Sequence, residues 1–255
     1  MYPDDVMSII FLYLEQEDAV RTAELFPGKQ WKVTFWVDSV GYERLSDTFI
    51  ITKIHNWNRC SFPDGITHLE FRYNFDHPLD DVELPNDLRH LEFGNYFDQP
   101  LDNVTFPNSI TYLEFRWSFD QPLDKVKLPE NLTHLKFGWK FNQPLDKVNL
   151  PENLIHLEFG WRFDQPMDDV RLPENLQYLR FGRDFSHPVD NVKFPDNLTH
   201  LAFGYWFNRP LDNVKLPDTL DHLEFGASFN QPLDDVKLPP KIKIISFHTR
   251  ETQEK

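Results

Sequence analysis

The chain has 255 residues, and its 41 Asp and Glu against 26 Lys and Arg give a net charge of −15 that disfavours binding to a phosphate backbone. Hydrophobic residues at 40% and aromatics at 15% are too abundant for a disordered chain, and the single Cys60 excludes an intrachain disulfide framework or a cysteine zinc cluster. The longest apolar stretch, Val6 to Leu14, is too short to span a bilayer, and no charged leader precedes it. The sequence therefore predicts a soluble cytoplasmic or nuclear protein with neither membrane nor nucleic acid as partner.

At the N-terminus Val6, Ile9, Ile10, Tyr13 and Leu14 fall on one helical face, and Asp4 and Asp5 suit the positive end of that helix. Asp18 to Phe26 can form a second short helix, stopped by Pro27-Gly28. The run Pro3-Asp4-Asp5-Val6-Met7-Ser8-Ile9-Ile10-Phe11-Leu12-Tyr13-Leu14, followed by Asp18, Leu25 and Trp31, resembles an F-box. That resemblance implies an α-helical F-box-like module over residues 1–48. Through Pro3, Val6, Ile10, Leu14, Leu25 and Trp31 it would dock onto the Skp adaptor of a cullin ubiquitin ligase. The residues also suit a module that only caps the rest of the chain. Trp31 to Trp57 are expected to continue the helices and then supply irregular strands, with Phe49 to Ile54 the best strand in a connecting and capping segment, 49–61.

From residue 62 to 247 the chain repeats every 22 residues. Pro recurs from Pro63 to Pro239 and, in a second column, from Pro78 to Pro232; one Phe column runs from Phe75 to Phe229 and another from Phe71 to Phe247. Two prolines per unit leave no room for a long helix. Two short alternating stretches survive in each unit, such as Val104-Thr105-Phe106 and Tyr112-Leu113-Glu114-Phe115, and each reads as a strand with one buried face. A lone unit cannot bury its Phe, Leu and Val, whereas stacked copies share one core. The predicted fold is a β-rich solenoid of 22-residue units with parallel strands and an unbroken register, nine rungs spanning roughly 40 Å. Residues 248–255 form a short tail.

The segment Leu88-x-x-Leu91-x-Phe93 is similar to the strand of leucine-rich repeats. The whole unit resembles the FNIP repeat, a leucine-rich-repeat relative of amoebae and the giant viruses that infect them; Phe141-Asn142-Gln143-Pro144-Leu145 and Phe229-Asn230-Gln231-Pro232-Leu233 are its most typical copies. Proteins pairing an F-box with FNIP repeats form a giant-virus family, so this second resemblance strengthens the first.

In a solenoid each position becomes a column. The Asp column from Asp80 to Asp234 is expected to accept backbone NH groups within its own turns, with a row of calcium sites as the alternative. His68, His90, Tyr112, His134, His156, Tyr178, His200 and His222 read as a stacked aromatic ladder in preference to metal ligands, because no cysteine or carboxylate is arranged to complete a site. Glu70, Glu92, Glu114, Lys136, Glu158, Arg180, Ala202 and Glu224 line the solvent side of the same strand, and Trp117, Trp139 and Trp161 follow on consecutive rungs. His90, Glu92, Tyr112, Glu114, Trp117, His134, Trp139, His156, Glu158 and Trp161 are the predicted target-binding residues, the alternative being that the rings only cover the Phe core. The outward column of the other stretch, Glu83, Thr105, Lys127, Asn149, Arg171, Lys193, Lys215 and Lys237, is basic, so two sheets of opposite charge are expected. Gly94, Gly138, Gly160, Gly182, Gly204 and Gly226 follow the LxF triplets, where the strand is expected to leave the sheet at a φ other residues resist; Arg72 and Arg116 replace that Gly in two units, so the turn is not expected to be strictly left-handed.

Neither a nucleophile–base set nor a phosphate loop is legible, and no cofactor is implied. The sequence predicts a non-enzymatic substrate-recognition adaptor for a ubiquitin ligase, with a ligase-independent protein-binding scaffold as the alternative. A carbohydrate-binding module using the tryptophans stands third.

Overall fold

The computed structural model describes residues 67–71, 73–80 and 82–246, together with the backbone of three earlier strands. The helices expected before residue 32, the adaptor-docking residues and the tail fall outside the described residues.

The strands form a single 12-stranded sheet in sequence order. β1 (Lys32–Val37), β2 (Val40–Leu45) and β3 (Thr48–Ile54) pair antiparallel. Phe49 to Ile54 is thus a strand as expected, while β1 and β2 occupy residues that the sequence assigned to the helical module. The alternation Lys32-Val33-Thr34-Phe35-Trp36-Val37 is rich in β-branched and aromatic residues and has the strand period. β3 then pairs parallel with β4 (His68–Phe71), and the repeat units contribute one strand each: β5 (His90–Glu92), β6 (Tyr112–Glu114), β7 (His134–Lys136), β8 (His156–Glu158), β9 (Tyr178–Arg180), β10 (His200–Ala202), β11 (His222–Phe225) and β12 (Lys243–Ser246).

From β4 to β11 each residue pairs with the one 22 positions on, for example Leu113 with Leu135 and Leu135 with Leu157. At the last rung the unbroken register fails: Leu223 pairs with Ile244, not with Ile245. The turn before it keeps the repeat, since Ile242 NH bonds the Pro239 carbonyl as Leu220 NH bonds Pro217, and Lys243 NH still bonds Asp221 as Asp221 NH bonds Thr199, so the slip is taken up at Lys243. A one-residue slip reverses which face each side chain meets, and Ile244 and Ile245 are 41% and 37% exposed.

The second alternating stretch is not a strand. Val104 NH bonds the Leu101 carbonyl and Ile110 NH bonds Pro107, so Val104-Thr105-Phe106 is held between two tight turns, too short for a ladder and closed by a proline that has no NH to donate. Its period still sorts the side chains, with Val104 and Phe106 buried and Thr105 exposed. The expected pair of oppositely charged sheets is therefore one sheet and one non-sheet face carrying the basic column.

The core is built from columns. Phe97, Phe119, Phe141, Phe163, Phe185 and Phe207 are fully buried and stack along the solenoid at ring separations near 6 Å, as in Phe119–Phe141 at 6.1 Å. Each also meets the LxF Phe of its own unit, as in Phe137–Phe141 at 3.8 Å. Burial of each such ring is worth about 1.5–3 kcal/mol. The rungs lie so close that a Cβ on Gly138 would run into the Arg116 backbone carbonyl, and one on Gly160 into that of Gly138. These five glycines are tied to backbone approach, and none from Gly138 to Gly226 adopts a left-handed φ, in keeping with the Arg residues at 72 and 116 in the same column.

The Asp turn role also falls in a different column. Asp98 NH donates to Asp76 Oδ1 at 3.0 Å, Asp120 NH to Asp98 at 2.9 Å and Asn142 NH to Asp120 at 2.9 Å, while Gln99, Gln121 and Gln143 donate to the same acceptors. Each carboxylate or amide thus ties its rung to the next and offsets the repulsion between neighbours. In the column from Asp80 to Asp234, by contrast, the side-chain contact among the described residues is that of Asp102 with Lys125 at 3.4 Å.

Candidate functional site

Along each strand the Leu points inward, so the residues flanking it share the outer face of the sheet. Parallel in-register pairing then sets equivalent side chains over one another. The His/Tyr column is a stack as predicted: His90–Tyr112 at 4.1 Å, His134–His156 at 5.4 Å, His156–Tyr178 at 4.1 Å and His200–His222 at 4.2 Å.

Beside it the charged column is cross-linked. His90 Nε2 lies 2.6 Å from Glu92, Tyr112 OH donates to Glu114, and Arg116 bridges Glu92 at 2.5 Å and Glu70 at 3.1 Å. The hydrogen bond with His90, and then Arg116, hold the Glu92 carboxyl below the usual range against the opposing pull of burial. Glu158 is lowered in the same way by His156, again against burial, with help from Lys136 at 3.8 Å and Arg180 at 3.9 Å. The His134 imidazole is also pushed down, first by burial, which disfavours its charged form, and then by the nearby His156 and Lys136.

Next to these columns runs the glycine row. Because close rung packing forbids a Cβ there, a strip without side chains lies between the charged column and the tryptophans, and it forms a trough of about 820 Å³. Its far wall is one continuous stack. Trp117 lies 4.5 Å from Trp139, Trp139 lies 3.8 Å from Trp161, and the Arg183 guanidinium sits 4.9 Å from the Trp161 ring and 5.2 Å from Tyr205. Trp117 and Trp161 remain 48% and 45% exposed.

The structure gathers the ten predicted target-binding residues on this one face. Trp117, Trp139, Glu158 and Trp161 line the trough, whereas His90, Tyr112, His134 and His156 stand in the column beyond the charged row. Arg180, Arg183, Tyr205 and Glu224 also line it and were not among them. Their columns are legible in the sequence, but the change from Trp to Arg at position 183 hides that the stack continues.

At the far end Asp221 approaches the imidazoles, 2.5 Å from His222 Nδ1 and 4.0 Å from His200 Nδ1, a carboxylate that the sequence did not place there. The two rings are parallel to within 6° and 4.2 Å apart, so an ion in the plane of one lies outside the plane of the other. As arranged, the trio suits a hydrogen-bonded stack better than a shared metal.

The parallel sheet, the short units and the inward Leu and Phe columns define a leucine-rich-repeat-like solenoid. The chain belongs to the FNIP Repeat family, whose model matches residues 58–96, 75–116, 97–140, 119–162, 141–184, 163–206, 185–228 and 207–250. Among solved structures it is similar to one described as "The crystal structure of CroV588 a novel circular LRR protein structure", with 40% identity and a TM-score of 0.59. That likeness covers 71% of this chain and 30% of the other, so the chain matches less than a third of that protein's length. A comparison with curated proteins finds no match.

Proposed function

We propose that the chain is a non-enzymatic binding protein whose outer sheet face holds a target protein. The observation that carries this reading is the Trp117–Trp139–Trp161–Arg183–Tyr205 stack along a trough of about 820 Å³, with Trp117, Trp161 and Arg183 exposed and the other two half-buried. Aromatic and Arg side chains are the residues that most often dominate binding energy at interfaces. Because ring faces in the stack are turned towards one another, little free π-face remains for a sugar, which counts against the carbohydrate reading. The test is affinity capture with the whole chain and with a Trp139→Ala, Trp161→Ala double variant of matched melting temperature. Partners lost in the variant support the reading; an identical partner set contradicts it.

The finer reading makes the chain an adaptor acting in the cytoplasm, a host's cytoplasm if the protein is viral. An F-box built on Pro3, Val6, Ile10, Leu14, Leu25 and Trp31 would deliver the held target to a cullin ubiquitin ligase through the Skp adaptor. Its support is the apolar helical face at residues 6–14. Binding of purified Skp adaptor to the whole chain, abolished by Ile10→Asp, is the expected result; binding unchanged by Ile10→Asp and Leu14→Asp defeats the stated contacts. The alternative scaffold reading is favoured by β1 to β3, which extend the sheet and cover its first repeat strand.

A further inference from the structure

We infer that the trough binds an extended peptide segment bearing a carboxylate side chain, and that Arg183 is the group that grips it. This rests on the proposal that the sheet face binds protein, and adds the chemistry of what is bound.

The cations of this face are otherwise committed. Arg116 is shared by Glu92 and Glu70, and Lys136 and Arg180 both approach Glu158. Arg183 is different. It is exposed, lines the trough, and among the described residues has ring contacts with Trp161 and Tyr205 but no carboxylate or carbonyl partner for its guanidinium. Placed between two rings, the group is confined while its NH donors keep no carboxylate or carbonyl partner among the described residues. An Arg fork so held meets a carboxylate with two parallel hydrogen bonds, and much of the ordering cost is met before binding.

The surroundings select among anions. Glu158 and Glu224 also line the trough and the whole chain carries −15, so a single negative charge is tolerated better than a phosphate dianion or a nucleic acid. The glycine strip from Gly138 to Gly226 crosses four rung intervals, about 19 Å at ~4.8 Å each. That length accommodates about six residues of extended chain at ~3.3 Å each. Trp161 and its stacked neighbours supply apolar contact on either side of the carboxylate, so the favoured segment carries Asp or Glu flanked by apolar residues.

The test pans a phage-displayed library of random hexapeptides against the whole chain and, in parallel, against its Arg183→Gln, Arg183→Lys and Trp139→Ala variants, each first checked for an unchanged melting temperature. Recovered peptides are then synthesised with Glu, Gln or phosphoserine at the acidic position. The expected peptides bind the unaltered chain about tenfold more tightly with Glu than with Gln, as for a hydrogen bond to a charged group. That ratio falls to about one on Arg183→Gln and lies between on Arg183→Lys, which keeps the charge and loses the fork. A ratio unaffected by Arg183→Gln overturns the inference, and tighter binding of phosphoserine than of Glu overturns it in favour of phosphate. Peptides that need Trp139 but show no acidic preference defeat the inference and leave the binding face standing. Recovery of no peptide dependent on Trp139 or Arg183 defeats both.

Discussion

Two aromatic ladders run through the solenoid in parallel, and they differ in what interrupts them. The inner one is Phe at every rung from Phe75 to Phe229, nearly all of it inaccessible to water. The outer one, in the same units and the same register, changes identity from Tyr73 through three tryptophans to Arg183, Tyr205 and Ala227. An interior position must be filled with one shape, because any smaller ring leaves a void between fixed neighbours. A surface position needs only to suit the rung above and below, so chemistry can vary there without disturbing the fold. The contrast places stability in the first ladder and leaves the second free to carry the proposed recognition.

The largest effect expected from breaking this division is on the inner ladder. Phe141→Ala should cost about 3–5 kcal/mol, read as a lower urea midpoint and melting temperature. A loss below ~1 kcal/mol would mean that the Phe columns are not the core. Gly160→Ala comes next, at about 1–3 kcal/mol, because its new Cβ must push apart Gly160 and the Gly138 carbonyl of the preceding rung. Trp139→Ala should lower stability by no more than ~1.5 kcal/mol, the worth of its stacking, while abolishing partner capture. A variant that instead unfolds would return that column to the core.

The smallest effect is that of pH. His134 has its pKa lowered from the ordinary 6.5, chiefly by burial, so the fold prefers its neutral form. Its contribution is full above pH 6.5 and is lost as pH falls below that value through the lower folded one. Glu92 and Glu158, lowered from 4.5, add a second loss only below that pH. Urea midpoints should therefore fall in two stages on acidification, and His134→Phe should remove the first. A midpoint that rises between neutrality and about pH 5.5 contradicts the assignment.

The same contrast explains which features were legible in the sequence. Period and polarity alone identify the buried columns, since Leu113, Phe115 and Phe119 can satisfy their burial only by stacking on copies of themselves. Backbone pairing was less legible. Val104-Thr105-Phe106 alternates as a strand does, yet turn bonds on either side leave it no ladder, and alternation reports side-chain burial without reporting which NH groups pair. The final slip at Lys243 was hidden because the LxF pattern continues in the sequence through Ile245-Ser246-Phe247, so the period alone gives no sign of the change in pairing. The glycine row is legible as a column but its cause is not, as the distance between rungs is a property of the stack that no single unit displays. The trough was hidden for the same reason: it is the space left by what the stack forbids.

Like columns must lie directly over one another for both the core and the trough to exist, and the tryptophans report that stacking without a label. Circular dichroism of the folded chain in the far-ultraviolet indole band should show an exciton couplet from Trp117, Trp139 and Trp161, collapsing in Trp139→Ala and persisting in Trp206→Ala. A spectrum without the couplet, or a couplet that survives loss of Trp139, would contradict the stacked register.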